Sequence, residues 1–197
     1  FQKKHGHDRE KLGQETMRLY KENNANPLSS CLPLLLQIPI FLALFRVLDG
    51  AARGIPRGHW LEVNPDLLAS LNQATIFGAG ISDTFLKVGF DNGITSVHVV
   101  TFVLIILMTV TLFITQLQLM RKNMPPDALT GPFAQQQKIM LYVFPLVFAV
   151  GGINFPVGVL IYWFTSNLWT MGQQFYVIRR NPAPGTPAYD AWEARRK

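Results

Sequence analysis

Long apolar runs alternate with short polar and charged stretches along this chain, a pattern that predicts several membrane-crossing helices. Residues 28–48 ("LSSCLPLLLQIPIFLALFRVL") form the first run, and 97–120 form the second, which holds no Asp, Glu, Lys or Arg. About 20 apolar residues suffice to cross a hydrocarbon core of about 30 Å, so both are predicted spans. A single run over 139–178 is broken by "GGINFPVG", whose glycine pair and proline supply turn chemistry. Helices are expected there over 139–153 and 155–178. The first of these is short for a crossing, so either its ends extend or the bilayer is locally thin.

The polar stretches fill in the rest. Residues 1–27 contain "DREKLGQETMRLYKENN", a weakly amphipathic helix with Leu12, Thr16, Leu19 and Tyr20 along one side and Asp8 as N-cap. Asn26-Pro27 ends it, because the residue before proline is pushed out of the α region. Residues 49–96 are the longest loop. Within it 67–86 is apolar but carries Asn72, Gln73, Gly78, Gly80 and Asp83, which favours an interfacial helix over a fifth span. A short loop over 121–138 and a tail over 179–197 complete the chain, the tail beginning with "NPAPGTP", read as a flexible linker.

Charge sets the orientation. Residues 1–27 hold six Lys/Arg, 121–138 hold Arg121, Lys122 and Lys138, and the tail holds Arg179, Arg180, Arg195, Arg196 and Lys197. The long loop holds only Arg53, Arg57 and Lys87. Four spans place all three basic stretches on one side, which the positive-inside rule makes cytoplasmic. A fifth span at 67–86 would put Arg121 outside. The expectation is a multi-pass membrane protein with its C-terminus in the cytoplasm. Composition agrees: 49% of residues are hydrophobic and 15% charged, against about 25% charged in soluble domains. The formal net charge of +6 therefore reads as topology rather than nucleic-acid binding.

Polar groups inside spans are expensive and mark candidate functional positions, although Ser, Thr and Gln also simply bond across helix interfaces. Pro33 and Pro39 are each expected to cost a backbone hydrogen bond and to bend the first span, and Gln37 lies between them. Arg46 points about 180° away from Gln37 on an ideal helix and lies near the outer end, where its side chain can snorkel. Thr111, Thr115 and Gln118 form a stripe on the second span. On the fourth, Tyr162, Ser166, Trp169 and Gln173 line one face, and Trp163, Asn167, Thr170 and Gln174 the next. The third span has little polar beyond Tyr142. If the three stripes converge they line one hydrated cavity; Trp169 and Tyr176 equally suit interfacial anchoring.

No catalytic, metal-binding or cofactor-binding pattern is present: HExxH, GxSxG and glycine-rich phosphate loops are missing. His5, His7, His59 and His98 are scattered. Cys31, the single cysteine, allows no internal disulfide and reads as a small packing residue.

"NPLSSCLPLLLQIPIFLALFRVL", "MLYVFPLVF" and "FPVGVLIYWFTSNLWTMGQQ" occur in an order and at separations that resemble the YidC/Oxa/Alb family of membrane-protein insertases, closest to its Gram-positive, actinobacterial versions. The resemblance covers nearly all the chain outside 49–96 and the tail. It implies an all-α integral membrane protein, with four of the five core transmembrane helices of an insertase bundle plus a cytoplasmic amphipathic helix, the arm of a helical hairpin at 1–27. It also implies a hydrophilic groove open to cytoplasm and lipid, which receives hydrophobic segments of nascent proteins from the ribosome, alone or beside the Sec translocon, and releases them into the lipid bilayer. The substrate-groove residues it suggests are Gln37, Tyr162, Trp163 and Asn167, with Thr115 and Gln118 from the second-span stripe. Tyr162-Trp163 matches an aromatic pair that contacts substrate in the family. The family's groove arginine belongs to a first core span that is absent here, so the chain reads as a fragment, and Arg46 takes no such role.

A channel or small-solute transporter subunit is the alternative, since a polar stripe lines a pore as readily as a groove. Against it stand the lack of a charged ring and of a visible inverted repeat. The basic tail suits lipid headgroups or topology-setting better than a dedicated ribosome site, and no specific nucleic-acid sequence is implied.

Overall fold

The computed structural model describes residues 8–26, 29, 32–126, 129 and 134–197, apart from the side chain of Arg9. Cys31, His5, His7 and the start of the first expected span lie outside them. Helix α1 (Arg9–Glu22) begins at Asp8, whose Oδ1 accepts from the backbone N–H groups of Glu10 and Lys11 at 3.2 Å each. These are orphan donors of a first turn, so the expected cap forms.

Helix α2 (Leu32–Ala52) covers the first apolar run. Pro39 lies in its interior and removes a ladder bond. Pro33, expected to do the same, is instead the second residue of the described helix, where no intrahelical donor is needed. Arg46 is exposed.

The 49–96 loop is more structured than a single interfacial helix. Short helix α3 (His59–Val63) leads to α4 (Pro65–Gln73), and the chain then turns through strands β1 (Thr75–Ile76) and β2 (Ala79–Gly80) before α5 (Phe85–Val88). The helix expected over 67–86 thus stops at Gln73. Thr75 pairs with Gly80 and Ile76 with Ala79 around Phe77-Gly78. Both turn residues have positive φ (49° and 80°), which Gly78 adopts freely and a helix could not contain.

Helix α6 (Ser96–Lys122) is the second run, 27 residues long. Short α7 (Ala134–Lys138) continues without a break through one wide π turn (Ile139–Val143) into α8 (Phe144–Gly152). The helical path therefore starts at Ala134 rather than at 139, about 28 Å at about 1.5 Å per residue. Helix α9 (Val157–Arg180) follows after a turn. α10 (Pro187–Ala194) closes the chain.

Two assemblies hold the ends of the bundle. At the loop end, Ala79, Val97 and Val157 form a buried cluster with Ile76, Val88, Val100, Leu104 and Ile161 packed around it. Pro156 has no side chain able to cap α9, so the loop does it: Asp83 O accepts from Val157 N–H at 2.9 Å and Ile81 O from Gly158 N–H at 2.7 Å. Asp49 pairs with Arg53 at 3.2 Å and with Lys87, tying α2 to α5. At the opposite end, the "NPAPGTP" stretch is packed rather than free. Pro182 and Thr186 are buried, Asn123 Oδ1 accepts from Ala183 N–H at 3.0 Å, and Thr186 caps α10 by accepting from Tyr189 N–H.

Candidate polar and aromatic seam

Helix α9 is the central element: it packs along α6 most extensively and also meets α2 and α10. Its contact with α2 begins where glycine permits it. A Cβ on Gly158 would lie 2.7 Å from Leu48 Cδ1 and 3.0 Å from Ile81 O, distances that no side chain tolerates unchanged. Farther along, Phe155 sits edge-on to Phe41 (5.5 Å) and to Phe45 (5.8 Å). Trp163 lies among Phe41, Phe148 and Phe155, with centroid distances of 5.2, 4.4 and 5.9 Å. Such tilted and edge-to-face pairs contribute about 0.5–1.5 kcal/mol each beyond their area. The spacings Phe41/Phe45 and Phe144/Phe148 put rings on one helix face in the sequence, yet Trp163's cage of three phenylalanines was not anticipated.

The seam ends in a polar link. Gln37 Nε2 donates to Tyr162 Oη at 2.6 Å, with both residues half-buried. Beyond it, toward Leu32 on α2 and Arg180 on α9, no side-chain hydrogen bond or ring contact joins the two helices among the described residues. Leu34, Leu35 and Leu36 are exposed on α2, and Thr165, Trp169, Thr170 and Gln173 on α9. Of the predicted groove residues, then, Gln37 and Tyr162 are brought into contact and Trp163 packs beside them.

Asn167 lies one turn farther on, and its Nδ2 is buried with no hydrogen-bond partner among the described residues. Gln174 Oε1, seven positions on and hence on the same face, is in the same state.

Thr115 and Gln118 belong to a different interface. The buried residues of α6 are 97, 98, 101, 108, 111 and 118, and all but His98 fall on one stripe along the helix. Thr111 Oγ1 donates to the carbonyls of Leu107 and Met108 at 2.9 Å each, and Thr115 Oγ1 to Thr111 O at 2.7 Å. These hydroxyls are satisfied by their own helix, the usual solution for Thr in a helix. Gln118 meets α9 near Phe175 and Ile178, more than three turns beyond Tyr162.

His98, unassigned by its sequence context, is structural: its ring stacks on Phe90 (4.5 Å, 14°) and meets Phe85 edge-on (4.8 Å), while Nδ1 accepts from Thr95 N–H at 3.0 Å. A polar residue three positions after an N-cap threonine is the sequence signal for this reciprocal cap. Among the described residues no group of three His, Cys, Asp or Glu is placed to hold a metal ion.

Among the described residues two helices, α2 and α6, are long and apolar enough to cross a membrane. Residues 1–184 match the family described as 60Kd inner membrane protein. The chain is 48% identical over 99% of its length to the membrane protein insertase YidC of Streptomyces avermitilis, covering 46% of that protein. It is 39% identical over 96% of its length to the insertase of the same name from Tropheryma whipplei, covering 61%. With that of Mycolicibacterium paratuberculosis the figures are 34%, 90% and 56%. The chain thus spans about half the length of these relatives. The family match across nearly the whole chain and the near-complete alignment with these proteins establish that the chain belongs to the 60Kd inner membrane protein family, the family of the YidC insertases.

Proposed function

We propose that this chain is the membrane-embedded part of an insertase that receives hydrophobic segments of nascent proteins in the wedge between α2 and α9 and releases them sideways into the bilayer. The observation that carries this is the Gln37–Tyr162 hydrogen bond. Beyond it no side-chain hydrogen bond or ring contact joins the two helices among the described residues, and both present exposed residues, apolar on α2 and partly polar on α9. Gln37, Tyr162 and Trp163 make the closed end of the wedge and Asn167 part of its wall, while Gln118 faces α9 behind it and Thr115 is bonded within its own helix.

A hydrated wedge lowers the cost of bringing the polar flank of a substrate part-way into the membrane. Unsatisfied polar groups in hydrocarbon cost several kcal/mol each, and water in the wedge removes much of that penalty. The substrate's apolar stretch then leaves laterally, because its own surface is favoured by lipid over a hydrated wedge.

In this reading the Arg/Lys-bearing ends face the cytoplasm, the chain is multi-pass with a cytoplasmic C-terminus, and the ribosome delivers substrate with or without the Sec translocon. A photo-crosslinking amino acid at Gln37, Ser166 or Val147 of the full-length protein, mixed with stalled ribosome–nascent-chain complexes, tests it. The expected result is crosslinks from 37 and 166 but not from 147, on exposed α8. Equal labelling at all three, or ion conductance by the purified protein, sinks the proposal.

A further inference from the structure

A second cleft lies on the other side of α9, at the Arg/Lys-bearing ends of α6 and α9. Its volume is about 670 Å³, its walls are Ile114, Leu117, Met171 and Phe175, and Arg121 and Lys122 stand at its rim. Lys122 Nζ lies 5.3 Å from the centre of the Phe175 ring. A neighbouring cavity of about 430 Å³ shares Gln118, Lys122 and Phe175 with it and adds Arg179 and Arg195. Arg195 Nη2 donates to Arg179 O at 3.3 Å, which closes the end of α9 and holds α10 against the cleft. Among the described residues none of these four cations pairs with a carboxylate; the ion pairs present involve Arg18, Arg53, Lys87 and Lys197.

Gln118 supplies the second observation. It is 9% exposed, lines both cavities, and its Oε1 is buried with no hydrogen-bond partner among the described residues. A buried carbonyl left unpaired is unfavourable, so the site is completed by an occupant that donates.

We propose that this cleft binds one anionic phospholipid whose headgroup carries a hydroxyl, of the phosphatidylglycerol class. The apolar walls take part of an acyl chain and the unpaired cations take the phosphate, for which Arg is geometrically suited. Gln118 Oε1 accepts from the headgroup hydroxyl, a donor that a phosphodiester alone lacks. Walls with one aromatic among aliphatic side chains, beside a helix apolar enough to span a membrane, favour lipid over single-stranded nucleic acid, which is held by rows of stacking aromatics. The assignment rests on the family's membrane location and is independent of the wedge between α2 and α9.

Native mass spectrometry of the detergent-purified full-length protein, with palmitoyl-oleoyl phosphatidylglycerol or the matching phosphatidylcholine added, tests it. Preferential retention of one phosphatidylglycerol is expected. R121Q and K122Q each weaken retention about fivefold, from about 1 kcal/mol per surface cation. K122R, which keeps the charge, restores it, and R53Q/R57Q at the opposite end leaves it unchanged. Q118L lowers phosphatidylglycerol binding to the level of phosphatidylmethanol, an anionic lipid without a headgroup hydroxyl, and unchanged binding in Q118L refutes the acceptor role. Equal retention of the anionic and zwitterionic lipids, or equal loss in R53Q/R57Q, overturns the site. So does displacement of phosphatidylglycerol by a short single-stranded RNA with the same dependence on Arg121 and Lys122, which would mark a nucleic-acid surface.

Discussion

Gln37 on α2 and Tyr162 on α9 are 125 positions apart and meet through a 2.6 Å hydrogen bond, the only side-chain hydrogen bond between these helices among the described residues. Hydrogen bonds between membrane helices are modest, averaging about 0.6 kcal/mol with a maximum of about 1.7 in double-mutant cycles. A cycle of Gln37→Leu and Tyr162→Phe, followed by SDS titration of the protein in bicelles, is expected to return a coupling energy in that range. A coupling indistinguishable from zero means the bond is not made in the bilayer.

The α2–α9 approach depends on a missing side chain. Gly158→Ala places a Cβ against Leu48 Cδ1 and the backbone carbonyl of Ile81, and overpacking of this kind costs about 1–3 kcal/mol. A lowered Tm in detergent is the expected readout. Leu48→Ala costs about 2–5 kcal/mol on its own, since Leu48 is buried. Combined with Gly158→Ala, the two losses are expected to be less than additive, because the smaller residue removes one of the two clashes and leaves only that with the Ile81 carbonyl. A Gly158→Ala protein as stable as wild type would show that α9 can shift away from the loop.

The apolar runs were legible because a bilayer demands long uninterrupted stretches, and α2, α6 and α9 fall close to where hydropathy puts them. The cap of α1 at Asp8 was legible for a similarly local reason. What the sequence hid was mostly pairing between distant segments. Thr111, Thr115 and Gln118 read as one polar stripe, and nothing local says that two of them bond their own helix while the third faces α9. The 67–86 stretch reads as a helix by composition, but the left-handed Phe77-Gly78 turn and the packing of Ala79 beneath Val157 convert it to a hairpin. "NPAPGTP" has linker chemistry, yet Asn123, sixty positions earlier, gives Ala183 a hydrogen-bond partner.

His98 separates packing from capping. His98→Phe keeps an aromatic ring against Phe85 and Phe90 but loses the acceptor for Thr95 N–H. A lost helix N-terminal cap costs about 0.5–2 kcal/mol. His98→Ala loses both and is expected to be the less stable of the two by thermal melting, by roughly the 0.5–1.5 kcal/mol of an aromatic pair. If His98→Phe matches wild type, the cap contributes nothing and the ring alone holds α5 to α6.

The docking of α10 rests on a few polar contacts rather than a core. Thr186 is 1% exposed; its Oγ1 donates to Ala183 O at 2.6 Å and accepts from Tyr189 N–H at 3.3 Å, and Asn123 fixes Ala183 from the end of α6. α10 is only eight residues long with no fully buried residue of its own, and a helix that short does not persist in water without its cap and its contacts. Thr186→Ala removes the cap at a cost of about 0.5–2 kcal/mol, a large fraction of what can hold so small an element. Local opening of residues 181–197 is therefore expected well before global unfolding. Hydrogen exchange should show faster exchange of the α10 amides in Thr186→Ala and, to a smaller degree, in Asn123→Ala, with α6 and α9 unchanged at their centres. Faster exchange spreading through α9 would instead make α10 part of the bundle's cooperative unit, and no change in α10 would mean that the Arg195–Arg179 hydrogen bond and packing on α6 and α9 suffice to hold it.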